Sequence, residues 1–409
     1  MTYPTIRPEI TLDFANSRQL DPRITFSRSS SATYLNPDTG FITLASDHEA
    51  RFEKKGLLLE ESRTNKYPDS RATALNFGSK ATHVTSTTIL APDGSYAEKC
   101  AEDTQTGAHG LWNNIPGLAN NTQTTFTIYA KAGEKNWVSI GFQDVGFGYN
   151  KYTAFDLSTG TIGTNKHTGT IIFRPASASI TPAGNGWYRL SVSRGTNAAN
   201  VFAFMTNSNP TGSSYDSSTF SYTGGSNGDG MYFFGPQVEE QSGSSDGFAT
   251  SYIPTSGSTV TRAADVCTIT GDNVTSWYNN AEGTFFYERV KQNTVANQQE
   301  FWIYPGPSFS QSNNIAPTWK TDPVTQLAIK DANVNQPYSS VSNTADKVAF
   351  ALKANDTVLA AGGVLGNVVT SNSLPGPIDN INFRYGSWIK RISYYSRRLT
   401  NAELETLTL

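Results

Sequence analysis

Residues 124–133 read TTFTIYAKAG. Phe126, Ile128 and Ala130 share one face of an extended chain and Thr127, Tyr129 and Lys131 the other, because successive side chains of a strand point to opposite sides. A helical period would scatter the same residues around its axis. The alternation returns in WVSIGFQ at 137–143, which sets Val138, Ile140 and Phe142 inward, and in GWYRLSVSR at 186–194, which does so with Tyr188, Leu190 and Val192. VFAFMTN and GMYFFGPQVEE continue it with large residues on both faces. No long helical pattern interrupts residues 76–240. The stretch therefore reads as antiparallel strands packed as a sandwich of jelly-roll type.

Working outward, the alternation resumes after residue 266 in GTFFYERV, EFWIYPG, TQLAIKD and KVAFALKANDTVLAAGGV. The last of these predicts two strands around a turn at Ala354, Asn355 and Asp356. RRLTNAELETL at 397–407 predicts a short terminal helix: Thr400 is an N-cap with Glu403 three residues on, and Leu399 and Leu404 stand where a hydrophobic staple closes. Upstream, ITLDF at 10–14 alternates, NPDTG is a turn, and GLLLE is a short buried strand that begins at Gly56. The expected fold is all-β, with two antiparallel β-sandwich domains, an extended N-terminal segment and a short C-terminal helix. The expected boundaries are 1–75 for a segment packing on the first sandwich, 76–266 for that sandwich and 267–409 for the second.

Composition narrows the function. The chain has 409 residues, enough for two cores, and a net charge of -3, which gives no basic footprint for a phosphate backbone. Nucleic acid is thus not an expected partner. Charged residues make up only 16%, so hydroxyls and amides carry much of the surface polarity. The two cysteines, Cys100 and Cys267, lie far apart and form no ligand spacing; buried free thiols are expected, with a disulfide between them as the alternative. The N-terminus lacks a charged region followed by an apolar run, so no secretory signal is expected, and no stretch is apolar enough to insert in a membrane.

Motifs of chemistry are scarce. His48, His83, His109 and His167 show no metal-ligand spacing and read as exposed loop residues, so neither metal nor cofactor is expected. The run TGGSNGDG at 223–230 could lend Asn227 and Asp229 to calcium, but reads first as a turn-rich loop. Glu60 and Glu61, like Glu239 and Glu240, are adjacent, so in a strand they point apart and cannot flank one glycosidic bond. One member of each pair is expected to form an ion pair with Arg63 or Arg262. No serine sits in a GxSxG elbow, and there is no phosphate loop. Aromatic side chains beside amides suit the flat C–H faces of sugars. Trp112 and Trp137, facing away from the expected core, Tyr149 and Tyr152 around GYNKY, and Trp302 and Trp319 in the second half are the candidate carbohydrate-binding residues. The alternative for each is a place in a core or a subunit interface.

Several blocks in fixed order carry a resemblance: TFSRSSSATY at 25–34, Arg51 with Phe52, GLLLEESRTN at 56–65, GWYRLSVS at 186–193 and FATSYIPTSGSTVTRAAD at 248–265. Together they resemble bacteriophage tail-fibre and virion appendage proteins that contain a carbohydrate-binding-module-like jelly roll. KVAFALKANDTVLAAGG and the closing GSWIKRISYYSRRLTNAELETL resemble a concanavalin A-like, laminin-G-type sandwich. The resemblance implies a non-enzymatic structural protein of a phage particle: a tail-fibre, tail-spike or capsid-fibre component, located in the virion. Its implied partners are other virion proteins, two further copies in a homotrimer, and a host surface glycan. A polysaccharide-depolymerising spike and an architectural decoration or joining protein are the alternatives. Residues 247–266 would then close the first sandwich, with Arg28, Glu60, Glu61, Arg63, Tyr252, Arg262 and Asp265 as the closing set and Val260 as an anchor.

Overall fold

The computed structural model of the chain describes residues 4–70, 80–119, 122–144, 150–165, 177–196, 198–211, 219–225, 228–241, 248–291, 298–319, 324–343 and 345–409. The chain divides into two compact units. A discontinuous unit comprises Met1–Pro37, Leu44–Ser62 and Ala263–Leu409, and an inserted unit comprises Arg63–Arg262 with the short piece Asp38–Thr43. Both are β-sandwiches of antiparallel strands.

In the inserted unit the strand Thr122–Ala132 lies between Trp187–Thr196 and Gly230–Gln241 in a six-stranded sheet. Phe126 stands opposite both Val192 and Val238, and Ile128 opposite Leu190, so the alternation read from the sequence sets the register. A five-stranded sheet brings in Val138, Ile140, Phe142, Val201, Ala203 and Met205, and these side chains close a fully buried core with Phe126, Ile128 and Val192. Each large apolar side chain so buried contributes about 1.5–3 kcal/mol. The far side of the first sheet is buried as well: Tyr129, Trp187, Phe234 and Tyr252 form a second cluster there.

The discontinuous unit is built around Glu282–Lys291 and Ser387–Tyr395 in one sheet, and Phe301–Tyr304 and Asn380–Phe383 in the other. Phe285, Phe301, Phe350 and Tyr394 meet in its core, with Phe285 ring centroids 5.3 Å from Phe350 and 4.8 Å from Tyr394. The hairpin read from the sequence forms between Lys347–Lys353 and Val358–Ala361, with Asn355 at a φ of 60° in its turn. The terminal helix is Asn401–Thr408 and its capping box is complete: Thr400 Oγ1 accepts from Glu403 N, and Glu403 accepts from Thr400 N. Leu399 and Leu404 share the same small core. Among the described residues no helix is long and apolar enough to cross a membrane.

The N-terminal segment departs from expectation. Residues 1–75 were expected to lie on the sandwich 76–266, but Ile10–Asp13 pairs with Ser387–Tyr395, Thr25–Ser27 with Val266–Thr270, and Gly56–Leu58 with Ser387–Tyr395. The physical reason is burial: Ile10, Leu12, Phe14, Leu57 and Leu59 fill the core of the discontinuous unit. Gly56 is required there. At φ +113° it meets the neighbouring strand so closely that a Cβ would stand 2.2 Å from the carbonyl oxygen of Ile389.

The chain leaves this unit after Ser62 and rejoins it at Ala263. On the inserted side the two crossings form a short ribbon, Arg63–Asn65 against Val260–Arg262, with Arg63 opposite Arg262. Residues 248–262 belong to the inserted unit: the Tyr252 ring lies tilted 5.2 Å from that of Phe234, and the Asn65 amide donates to the Ile253 carbonyl at 2.9 Å. Val260 is not an anchor, since it is 38% exposed at the rim of the ribbon.

Candidate functional site

The five-stranded sheet of the inserted unit turns one face to the core and presents the other to a second set of side chains. Trp112 lies opposite Phe202, Phe202 opposite Gly141, and Gly141 opposite Tyr152, so one cross-strand row holds three aromatic residues. The row one step along is made of amides. Asn114 stands opposite Asn200, and Asn200 opposite Gln143.

These amides bond in series. Asn114 Nδ2 donates to Asn200 Oδ1 at 2.9 Å, and Asn200 Nδ2 donates to Gln143 Oε1 at 2.9 Å. The Trp112 indole N–H donates to the same Gln143 oxygen at 3.1 Å. Gln143 Oε1 thus holds the indole and the amide row in one frame. Among the described residues, Gln143 Nε2 and Asn114 Oδ1 make no hydrogen bond with protein. Trp112 is 36% exposed and Asn114 is exposed. A donor and an acceptor therefore stand free beside an indole face. That is the combination that sugar hydroxyls and the apolar face of a pyranose ring require.

The other aromatic candidates fare differently. Tyr152, expected as a platform, is 0% exposed, because Phe220 covers it edge-on at 4.9 Å and Phe202 and Phe204 complete the cluster. Trp137 is half-buried against that cluster. Tyr149 lies outside the described residues. In the discontinuous unit, Trp302 has Phe309 stacked at 3.7 Å and 18°, and the Arg384 guanidinium 3.9 Å from its ring centroid. Two groups that close to one ring must take opposite faces, so neither face of Trp302 is open for a sugar. Trp319 ends the strand Asn314–Trp319, and its side chain lies outside the described residues.

The seven closing residues separate between the units. Arg28, Glu60, Glu61 and Asp265 belong to the discontinuous unit; Arg63, Tyr252 and Arg262 belong to the inserted one. In the first group Asp265 accepts from Arg28 Nη1 at 3.0 Å, Arg51 Nη2 at 2.6 Å and the Glu60 amide at 2.7 Å, and Glu60 accepts from Arg51 at 2.8 Å. The sequence reading missed Arg51 as a member, although Arg51 with Phe52 was among the resembling blocks. Burial lowers the pKa of both guanidiniums; for Arg51 the attraction of Glu60 and Asp265 outweighs it and the pKa rises, whereas that of Arg28 stays lowered. Glu60 thus pairs with Arg51. Arg262 donates to Ser251 Oγ at 3.0 Å and Thr250 Oγ1 at 3.2 Å, and Arg63 to the Glu240 carbonyl at 3.2 Å. Glu240 pairs with Lys66 at 2.9 Å.

His109 also corrects an expectation. It is 0% exposed in the strand His109–Asn114, its ring centroid 4.5 Å from that of Tyr222, rather than in an exposed loop. Among the described residues no three His, Cys, Asp or Glu side chains converge on a metal-sized site; Asn227 lies outside those residues. Cys100 and Cys267 are buried free thiols.

No protein-family model and no curated protein matches the chain. Solved structures with partial likeness include the CBM40 of the Ruminococcus gnavus IT-sialidase, at 16% identity over 32% of this chain and 84% of that one, with a TM-score of 0.28. The leech intramolecular trans-sialidase complexed with 2,7-anhydro-Neu5Ac gives 15% identity over 32% and 23%, with a TM-score of 0.27. Domains LG4-5 of the mouse laminin alpha1 chain give 10% identity over 81% and 95%, with a TM-score of 0.21. Scores this low carry no functional weight, and the architecture stands on the strand pairing itself.

Proposed function

We propose that the chain is a non-enzymatic structural protein of a phage particle, a tail-fibre, tail-spike or capsid-fibre component that recognises host surface glycans through the inserted unit. The observation that carries glycan recognition is the frame of Trp112, Gln143, Asn200 and Asn114, which offers an indole face, a free donor and a free acceptor together. The phage assignment rests on the ordered blocks of the sequence, from TFSRSSSATY to TVTRAAD. The adjacent carboxylate pairs support a non-catalytic reading: Glu60 is held by Arg51, Glu240 by Lys66, and Glu239 accepts from both the amide and the hydroxyl of Thr250. Acid-base cleavage of a glycoside would need two such groups facing one bond.

The full chain and Trp112→Ala on a glycan array test this reading. Binding that Trp112→Ala reduces at least tenfold supports it. An array with no ligand for the full chain, or ligands that the substitution leaves unaffected, overturns it. Antibody labelling of purified particles tests the place in the virion, and light scattering of the purified chain tests the trimer.

A further inference from the structure

We propose that the discontinuous unit carries a second, anionic subsite at Arg384, which takes the carboxylate of a uronic-acid sugar. The inference rests on the glycan-recognition reading above and names a charge class that the Trp112 frame does not supply.

Arg384 follows the strand Asn380–Phe383, and its main-chain N–H donates to the Glu300 carbonyl at 2.8 Å. Phe301, Ile303, Ile381 and Phe383 point into the core, so Trp302 and Asn382, which stand opposite each other, lie on the outer face of the sheet. The guanidinium carbon of Arg384 is 3.9 Å from the Trp302 ring centroid and 4.7 Å from that of Tyr385. Trp302 is itself fixed, by Phe309 on its other face and by its indole N–H on Gln299 Oε1.

The guanidinium therefore lies over the Trp302 ring and also hydrogen-bonds with the Tyr385 side chain. Other buried arginines in this unit have carboxylate partners: Arg28 with Asp265, Arg51 with Glu60 and Asp265, Arg289 with Glu300. No described carboxylate lies within ion-pair distance of Arg384, and Glu61 acts on it only through longer-range attraction. Burial lowers its pKa against that attraction and a hydrogen bond with Tyr385. A half-buried cation with no carboxylate in contact carries a desolvation cost that Tyr385 and the more distant Glu61 offset only in part. A planar carboxylate fits the rim of a guanidinium with two parallel hydrogen bonds, and Asn382 lies on the same outer face of the sheet, opposite Trp302.

Calorimetry on the full chain with an oligogalacturonide and with its methyl ester tests the proposal. The acid is expected to bind at least tenfold more tightly than the ester. Arg384→Gln should abolish that difference with an unchanged melting temperature, Arg384→Lys should retain part of it, and Trp112→Ala should leave it intact. Equal binding of acid and ester, no binding of the acid, or an Arg384→Gln variant that keeps the preference overturns the subsite. Competition by inorganic sulfate at the same molar concentration also overturns it, because the site would then hold any anion. Neutral-glycan binding that depends on Trp112 would survive each of these failures, so the two readings fail separately.

Discussion

Arg51 and Asp265 stand 214 residues apart in the chain, yet Nη2 of the one lies 2.6 Å from Oδ2 of the other, both fully buried. The same carboxylate holds Arg28 at 3.0 Å, and Glu60 is the second acid on Arg51 at 2.8 Å, so two acids and two guanidiniums meet where the last residues of the long insertion give way to the second part of the discontinuous unit. Removing its charge leaves Arg28 facing a neutral group and Arg51 with Glu60 alone. Asp265→Asn is expected to destabilise this unit by about 3–5 kcal/mol, the usual cost of breaking a buried pair from one side. Denaturant titration of the full chain measures it; a loss below about 1 kcal/mol would mean that the network is solvated in solution.

The paired crossings at Arg63 and Arg262 lead to a second expectation. Residues 63–262 own a complete core and begin and end on adjacent strands, so the excised polypeptide should fold by itself. It loses Ile42, which packs on the cluster of Tyr129, Trp187 and Phe234 and whose N–H donates to the Pro92 carbonyl at 2.7 Å. Its melting temperature should therefore fall by a few degrees relative to the same unit in the full chain, as about 1 kcal/mol implies. Circular dichroism that shows an uncooperative melt would refute its independence.

How far the sequence disclosed this architecture differs from element to element. The faces of Thr122–Ala132 and the cap at Thr400 were legible because period and capping act within a few residues. The joining of Ile10–Asp13 to Ser387–Tyr395 was not, since alternation says which side chains are buried but not which distant strand supplies the ladder. Tyr152 shows the same gap at the site: its place in GYNKY suggested a platform, yet Phe220 comes from outside the sheet to cover it. Gln143 and Asn200 went unnoticed for want of any local signal. Only the register brings them opposite each other.

The cap at the C-terminal helix gives a pH dependence. Burial raises the pKa of Glu403, but hydrogen bonds from Arg397, at 2.7 Å, and from Thr400 outweigh it and hold the carboxyl below its ordinary value of 4.5. A folded-state pKa below the unfolded one stabilises the fold above the unfolded value, and that contribution is lost as pH falls through the folded value. The melting temperature should thus decline from about pH 4.5 downward, and Glu403→Gln should flatten that part of the decline while lowering stability at pH 7. Calorimetry at several pH values compares the two; parallel curves would exclude a role for Glu403.

Both cysteines are buried, and burial pushes both thiols up, away from the reactive thiolate. Ellman's reagent should find neither in the native chain within minutes and both after guanidinium denaturation. Rapid labelling of one thiol in the native state would show that its unit opens.

Gln143 ties stability to recognition in the Trp112 frame. Its Oε1 accepts from both Trp112 and Asn200, and its Nε2 is the free donor of the face. Gln143→Leu keeps the side-chain volume but orphans the amide of Asn200, which is only 9% exposed, at a cost of about 1–3 kcal/mol. It also frees the indole to rotate and removes a hydrogen bond to ligand, so affinity for any glycan that depends on Trp112 should fall at least tenfold. Gln143→Glu separates the two effects. The carboxylate still accepts from Trp112 and Asn200, so the fold should retain most of its stability, but it offers no donor, so binding should remain weak. A Gln143→Glu variant with full affinity would show that the amide row positions Trp112 without touching the ligand.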